Sequence, residues 1–342
     1  MYIKGERSMA WIAKIDEVIK HPEADSLDIC TVGGWKCVTK FGEFKKGELV
    51  VYCSIDSWIP NEIAPFLSKN KEPRDYNGVK GERLRTVKLR GTLSQGLILP
   101  LEPTCSMIES LLFEGLDVTF PLNIQKWEAP IPACLAGKVK GNFPSFIPKT
   151  DQERIQNLKK EFDSYKQYTF EVTEKLDGSS CTIYYNKGIF GVCSRNLDLE
   201  FDDVNTFWKA CNQYDLQNKL KELKLNIALQ GELIGEGIQG NKYNITGHQF
   251  HLFDVYNIDQ GKYHSSSFRQ TLSKTLGIPH APIIDKEFSI DEKSIEDILI
   301  FVEGKSMLNE SSEREGLVFK CVENTDISFK AISNKFLLKS GD

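Results

Sequence analysis

The stretch TEKLDGSSCTIYY, residues 173–185, places Lys175 two positions before an Asp177-Gly178 pair. Asp-Gly between residues of strand character reads as a tight hairpin turn. The lysine beside it is either solvated or a nucleophile, and K-x-D-G alone arises too readily from composition to decide. Five further groups follow in order. Ser194-Arg195-Asn196 ends the next strand, Glu232 sits in LQGELIG, and Phe253-Asp254-Val255 lies in HLFDVY. Glu315-Gly316-Leu317-Val318-Phe319-Lys320 comes near the end, and Lys330 lies in the last strand. Each has an ordinary reading: Glu232 as a surface strand acid, Phe253 as core, Glu315 and Lys320 as an exposed hairpin pair. Taken together, the ordinary readings require six coincidences.

The set and its order resemble the covalent nucleotidyltransferase superfamily, the polynucleotide ligases and mRNA capping enzymes, over about 155 residues from Lys175 to Lys330. The resemblance makes Lys175 the catalytic residue, attacking the α-phosphorus of a nucleoside triphosphate. An amine attacks only when neutral. Flanking cations and a bound metal favour loss of its proton, and Lys330, Lys320 and Arg195 are expected to supply that field and to neutralise charge on the phosphoryl oxygens. Asp177, Glu232 and Glu315 suit a hard divalent cation, Mg²⁺ or Mn²⁺, directly or through its waters. The resemblance further implies that Glu232 holds ribose hydroxyls, that Phe253 stacks on the base, and that Thr173 and Glu174 line the base edge. One departure stands out. The superfamily's last motif has two lysines, K-x-K, whereas this chain has Ser328-Phe329-Lys330. One phosphate contact is therefore missing or comes from Lys335 or Lys320.

These residues need elements to hold them. A chain of 342 residues, 40% apolar, suggests two domains. The fold class expected is α+β: an N-terminal OB-fold β-barrel over residues 1–125, then an antiparallel-sheet nucleotidyltransferase domain, ATP-grasp-like with peripheral helices, over 126–342. The first part has short strand-like runs with turn punctuation, WIAKIDEVI, LDICTVGGWKCVT, ELVVYCSI, RLRTVKLRG and QGLILPL. The second mixes strands with helical periods in TFWKACNQYDLQNKLKELK, SFRQTLSKTLG and DEKSIEDILIFVEGKSML. A helix is also expected from PKTDQERIQNLKKEFDSY, with Thr150 and Glu153 as its capping box.

Domain order narrows the family. DNA ligases and capping enzymes carry an OB fold after the catalytic domain, but only twelve residues follow Lys330. Here HPEADSLDICTVGGWKCVTKFGEFKKGELVVY with LRGTLSQGLILPL resembles the tRNA-binding type of OB fold, and it comes first. An N-terminal OB module joined to a compact nucleotidyltransferase resembles one family of ATP-dependent RNA ligases. PSFIPKTDQERIQN resembles that family's entry segment, which would bring Lys149 and Arg154 to the nucleotide or the 5′-phosphate. In the OB module Trp35 and the basic run KGERLRTVKLR are the RNA-binding candidates, above all Arg83, Arg85 and Lys88. The ordinary reading of that run is a charged edge strand that blocks aggregation.

The resemblance thus implies a monomeric RNA ligase that uses ATP and Mg²⁺ or Mn²⁺, forms a lysyl-AMP, and seals nicked duplexes with an RNA 3′-hydroxyl strand. The rivals are a capping-type guanylyltransferase and an RNA-binding protein with reduced catalysis. Other features argue against other classes. GEGIQG, residues 235–240, matches G-x-G-x-x-G, but NKYNITG after it is a poor helix former, so a dinucleotide pyrophosphate would lack a helix N-terminus. His248 and His251 have no third ligand nearby for zinc. Net charge is −5, and nine scattered cysteines without a C-x-x-C pair read as reduced core residues of an intracellular protein. No apolar run reaches the length of a membrane span, and no signal peptide opens the chain.

Overall fold

The computed structural model describes residues 8–69, 71–106, 108, 111–128 and 136–340. It divides into two compact units, residues 1–129 with 337–342, and residues 130–336. The first unit is mainly strand, with short helical turns at Pro65–Ser68 and Leu101–Thr104. Its strands are β1 (Ala10–Lys14), β2 (Glu17–Lys20), β3 (Leu27–Val32), β4 (Trp35–Lys40), β5 (Leu49–Cys53), β6 (Ser57–Pro60), β7 (Arg74–Tyr76), β8 (Val79–Arg83), β9 (Val87–Leu89), β10 (Thr92–Ser94), β11 (Leu97–Pro100) and β12 (Gln125–Lys126). They pair as β1-β5-β11, β2-β3-β4, β9-β10 and β12-β6-β8-β7. Ile12, Val51, Ile59, Leu99 and Val118 form its core.

The second unit is built on two sheets. A seven-stranded sheet runs in the order β13 (Val139–Asn142), β18 (Leu197–Leu199), β17 (Ile189–Cys193), β16 (Ser179–Asn186), β19 (Ile227–Gly235), β20 (His248–Asn257) and β21 (Lys262–Tyr263). A five-stranded sheet runs β14 (Glu153–Arg154), β24 (Ser328–Ile332), β23 (Gly316–Cys321), β15 (Thr169–Lys175) and β22 (Ile283–Ser289). Every pairing is antiparallel except β14 with β24. Side chains alternate across each strand. Phe170, Val172, Leu317, Phe319, Phe329 and Ala331 fill one face of the smaller sheet, and Phe319 stacks on Phe329 at 4.8 Å between ring centroids. The opposite face therefore receives Glu171, Thr173, Lys175, Val318, Lys320, Ser328 and Lys330. On the larger sheet, Cys181, Ile183, Leu229 and Phe250 pack in one core with residues of the helices Thr206–Gln213, Leu216–Leu223 and Ser266–Leu276.

Several local expectations are corrected. Asp177-Gly178 is not a hairpin: β15 and β16 belong to different sheets, and the turn carries the chain from one to the other. Gly178 is required there by close approach, since a Cβ would lie 2.5 Å from the Leu233 carbonyl oxygen and 2.9 Å from Glu232 Cγ. The helix expected over 148–165 is helical only from Lys159 to Tyr165, preceded by β14 and a 3₁₀ turn at Ile155–Leu158. The Thr150 hydroxyl lies 3.0 Å from the Ser180 hydroxyl, and Glu153 accepts from Asn157, so no capping box forms there. A capping box does form at Ser294 and Asp297, opening a helix, Ile295–Phe301, shorter than its apolar period suggested. The helical period of TFWKACNQYDLQNKLKELK forms two helices, broken at Asp215 with φ 51°.

Candidate active site

Lys175 ends β15 and Glu315 immediately precedes β23, the strand paired with it, so register alone brings the two together. Lys175 Nζ donates to Glu315 Oε1 at 2.6 Å. Glu232 comes from the other sheet, on β19 opposite Ser180, and Asp177 comes from the crossing between the sheets. Glu315, Glu232 and Asp177 all act on the charge of Lys175. Burial disfavours the charged lysine, but Glu315, Glu232 and Asp177 outweigh that and hold its pKa above the ordinary value. Burial pushes Glu232 up to about 8, opposed by Lys175 and assisted by Glu315 and Asp177. Burial and Glu315 likewise push Asp177 up to about 6, opposed by Lys242 and Lys175.

The acid set fits a hard cation. Its donors are all oxygen, burial raises the pKa of Asp177 and Glu232, and Glu315 Oε2 is buried with no hydrogen-bond partner. Among the described residues no three acidic, histidine or cysteine side chains are grouped closely enough to ligate a bare ion. Oxygen donors of this kind can also hold a hydrated cation through its waters, the state Mg²⁺ favours.

The expected phosphate-binding cations lie farther along the same face, each against an acid or a carbonyl. Lys330 Nζ is 2.9 Å from Asp151 Oδ1, and Arg195 Nη2 is 3.5 Å from Asp151 Oδ2. Lys320 Nζ sits 2.7 Å from Asp254 Oδ2, donates to the Phe253 carbonyl, and lies 5.5 Å from the centre of the Phe253 ring. Burial lowers the Lys320 pKa to about 8 and raises that of Asp254, with their mutual attraction opposing both shifts. Lys149 Nζ donates to Asn196 Oδ1 at 2.9 Å. Behind them runs a buried network. Arg269, 1% exposed, donates through Nη2 to Glu171 Oε1 and through Nε to His280 Nε2 at 3.0 Å, and its Nη1 lies 3.7 Å from Asp254 Oδ1. Burial and Arg269 push His280 down to about 4, which keeps its imidazole neutral and able to accept.

Several candidates lie elsewhere than expected. Glu174 is one residue out of phase with Lys175 and turns away from it: its carboxylate is buried and accepts the Met307 N–H at 2.8 Å. Thr173 keeps the nucleophile's face but is buried. Arg154 is 9% exposed on β14, beside Lys330 in register. Lys335 is 64% exposed with Nζ 3.9 Å from Glu303, and Lys320 lies against Asp254. In the first unit, Trp35 is a core residue, 1% exposed and stacked on Tyr52. Arg83 is 6% exposed, donates to Asp56 at 2.8 Å and lies 3.7 Å from the Trp127 ring centre. Both are structural rather than presented to RNA. Arg85 and Lys88 are exposed. GEGIQG opens no α-helix, only a 3₁₀ turn at Gln239–Asn241, but its sequel supplies two unforeseen residues: Lys242 pairs with Asp177, and the Tyr243 hydroxyl accepts the Asp177 N–H at 2.6 Å. Asp151 was hidden in a segment read as a helix cap.

Residues 168–335 match the RNA ligase family, and residues 9–101 match an OB-fold domain family. A search among curated proteins gave no match. Among solved structures, a lysine-to-alanine variant of Naegleria gruberi RNA ligase with ATP and Mn aligns with TM-score 0.90 and 44% identity, covering 96% of this chain and 98% of that one. A glutamate-to-alanine variant of the same ligase with AMP and Mn gives 0.91 and 44%, covering 97% and 98%. The ligase with PPi gives 0.90 and 44%, with the same coverage. With this identity over nearly its whole length, the chain belongs to the RNA ligase family, in the form that carries an N-terminal OB-fold domain.

Proposed function

We propose that the protein is an ATP-dependent RNA ligase in which Lys175 is the nucleophile. Neutral Lys175 Nζ attacks the α-phosphorus of ATP; the N–P bond forms as the bond to the β-phosphate oxygen breaks and pyrophosphate leaves. A 5′-phosphate oxygen of an RNA end then attacks the same phosphorus, and the N–P bond breaks. Finally a 3′-hydroxyl gives up its proton, attacks the 5′-phosphorus and expels AMP. Glu315 is placed to hold the proton that Lys175 must lose. Asp177, Glu232 and Glu315 would hold the water shell of Mg²⁺ or Mn²⁺, which when bound supplies positive charge at the α-phosphate. Lys330, Arg195 and Lys320 would exchange their acid partners for phosphate oxygens, with Phe253 at the base and Glu232 at the ribose. In this reading Lys149 and Arg154 serve the phosphate end. The complexes of the Naegleria ligase with ATP or AMP and Mn support adenine and a divalent cation.

The observation that carries the reading is Lys175 ringed by three carboxylates at a crossing between two sheets. Sealing of nicked duplexes with an RNA 3′-hydroxyl strand is supported by the OB-fold unit, where exposed Arg85 and Lys88 are the RNA-facing candidates. That one chain supplies every candidate residue supports a monomer. Eight described cysteines, all free and buried, support a reducing, intracellular setting. Among the described residues no helix is long and apolar enough to cross a membrane. The test is α-labelled ATP with a divalent cation and a denaturing gel. Acid-labile label on the protein, lost in Lys175→Ala, is expected. Label from GTP alone would favour a capping-type enzyme, and no label would favour an RNA-binding protein without catalysis.

A further inference from the structure

The loop between β19 and β20 looks at first like spare chain, yet it is built as a mount. Gly235 and Gly247 close its base, where the Glu236 N–H donates to the Gly247 carbonyl at 3.0 Å. A Cβ on Gly235 would lie 2.1 Å from that carbonyl oxygen, so the closure requires glycine. Inside the loop Asn241 braces Ile245 through both backbone groups, at 3.1 and 2.9 Å. Tyr243 is 5% exposed and packs in one cluster with Leu176 and Ile234. The segment leading into Glu315 clamps the loop from the other side: Asn309 Nδ2 and the Ser312 hydroxyl both donate to the Lys242 carbonyl, at 2.7 and 2.8 Å.

All of this fixes one side chain. The Lys242 ammonium lies 4.1 Å from the centre of the Phe336 ring and pairs with Asp177 Oδ2. Tyr243 holds the backbone of the same aspartate. Asp177 is thus gripped at both its main chain and its carboxylate by adjacent residues of one loop. An ammonium on a carboxylate that must serve a divalent cation is an obstacle to that cation, because like charges a few ångströms apart repel strongly in partly desolvated surroundings.

We propose that Lys242 is a positioning residue that occupies the cation's place at Asp177, keeping the carboxylate aimed while no divalent cation is present and yielding to it on binding. The inference rests on the reading of Asp177 as a cation-holding residue. Its consequence is weak cation binding by the protein alone: Mn²⁺ must displace an internal ion pair.

Mn²⁺ titration of the nucleotide-free full-length protein, read by loss of the free-ion EPR signal, tests this directly. Lys242→Met should bind Mn²⁺ about tenfold more tightly than wild type, the effect of removing one neighbouring positive charge. Lys242→Gln, which keeps a polar side chain, should tighten binding in the same direction, and Lys242→Arg should stay within about twofold of wild type. In an Asp177→Asn background binding should weaken and the gain from Lys242→Met should fall well below tenfold. Unchanged or weaker binding in both Lys242→Met and Lys242→Gln, with the Asp177→Asn loss intact, overturns the inference and leaves the cation site standing. If Asp177→Asn binds Mn²⁺ as wild type does, the cation reading of Asp177 falls and the inference falls with it.

Discussion

Replacing Arg269 by methionine asks whether the polar face behind Lys320 is held by charge or by packing. Arg269 and Glu171 are each 1% exposed, and their ion pair lies wholly inside the second unit. Without the guanidinium, Glu171 keeps one neutral donor, Gln270 Nε2 at 2.6 Å, and Asp254 loses a cation 3.7 Å away. Breaking a buried pair by removing one partner costs about 3–5 kcal/mol, because a charge is left uncompensated. Against a total stability of about 5–15 kcal/mol that is a large fraction. For a unit of this size the melting temperature should fall on the order of 10 °C. Urea unfolding of the full chain, followed by hydrogen exchange at the amides of β15, reads the effect where it arises. The double variant Glu171→Met/Arg269→Met removes both charges and should recover most of the loss. A single variant within about 1 kcal/mol of wild type, or a double variant no better than the single, would refute the reasoning.

His280 must stay neutral to accept from Arg269. Its folded pKa, about 4, lies below the unfolded value of 6.5, so its contribution is full above about pH 6.5 and is lost as pH falls toward 4. His280→Gln should flatten that limb of the stability profile, by on the order of 2 kcal/mol in thermal melts between pH 7 and 4. Arg83→Met should lower the stability of the first unit by about 1–3 kcal/mol through loss of its Asp56 bond and Trp127 contact, whereas Lys88→Met should leave melting unchanged and reduce RNA sealing. Gly178→Ala should cut labelling of Lys175 by about 100-fold, since the added carbon forces the crossing away from Glu232; near-normal labelling would show that the close approach is dispensable.

The candidate residues could be picked out because a lysine nucleophile, a hard cation and phosphate oxygens each require particular residue types, and the structure brings Lys175 to Glu315 as that set expects. The strands were legible too, because FEVTEK alternates plainly. What failed was pairing. Asp177-Gly178 carries the local signal of a hairpin whichever strands flank it, and only the partners of β15 and β16 reveal a crossing between sheets. Thr150 and Glu153 match a capping box, but the edge of β24 captures Glu153–Arg154 as a strand, so tertiary pairing overrides the local signal. The basic run misled in the opposite way: Arg83 carries the same charge as Lys88, yet strand alternation and Asp56 turn it inward. Lys242 left no signal at all, since its value lies in a loop closed by Gly235 and Gly247 and clamped from a segment some seventy residues later.

The crossing at Asp177-Gly178 also bears on how the chain comes into being. Lys175 takes its position from β23, and β23 is flanked by β24, one of the last strands made. Glu232, by contrast, belongs to a sheet whose central strands are already synthesised by Asn257. During synthesis the larger sheet can therefore form first, with Asp177 and Glu232 near each other but Lys175 still without its Glu315 partner. The distant pairing costs loop closure before it gives any contact in return. A nascent chain that has not yet made β23 would thus hold Asp177 and Glu232 but no aligned nucleophile, which ties the onset of chemistry to the pairing of β15 with β23.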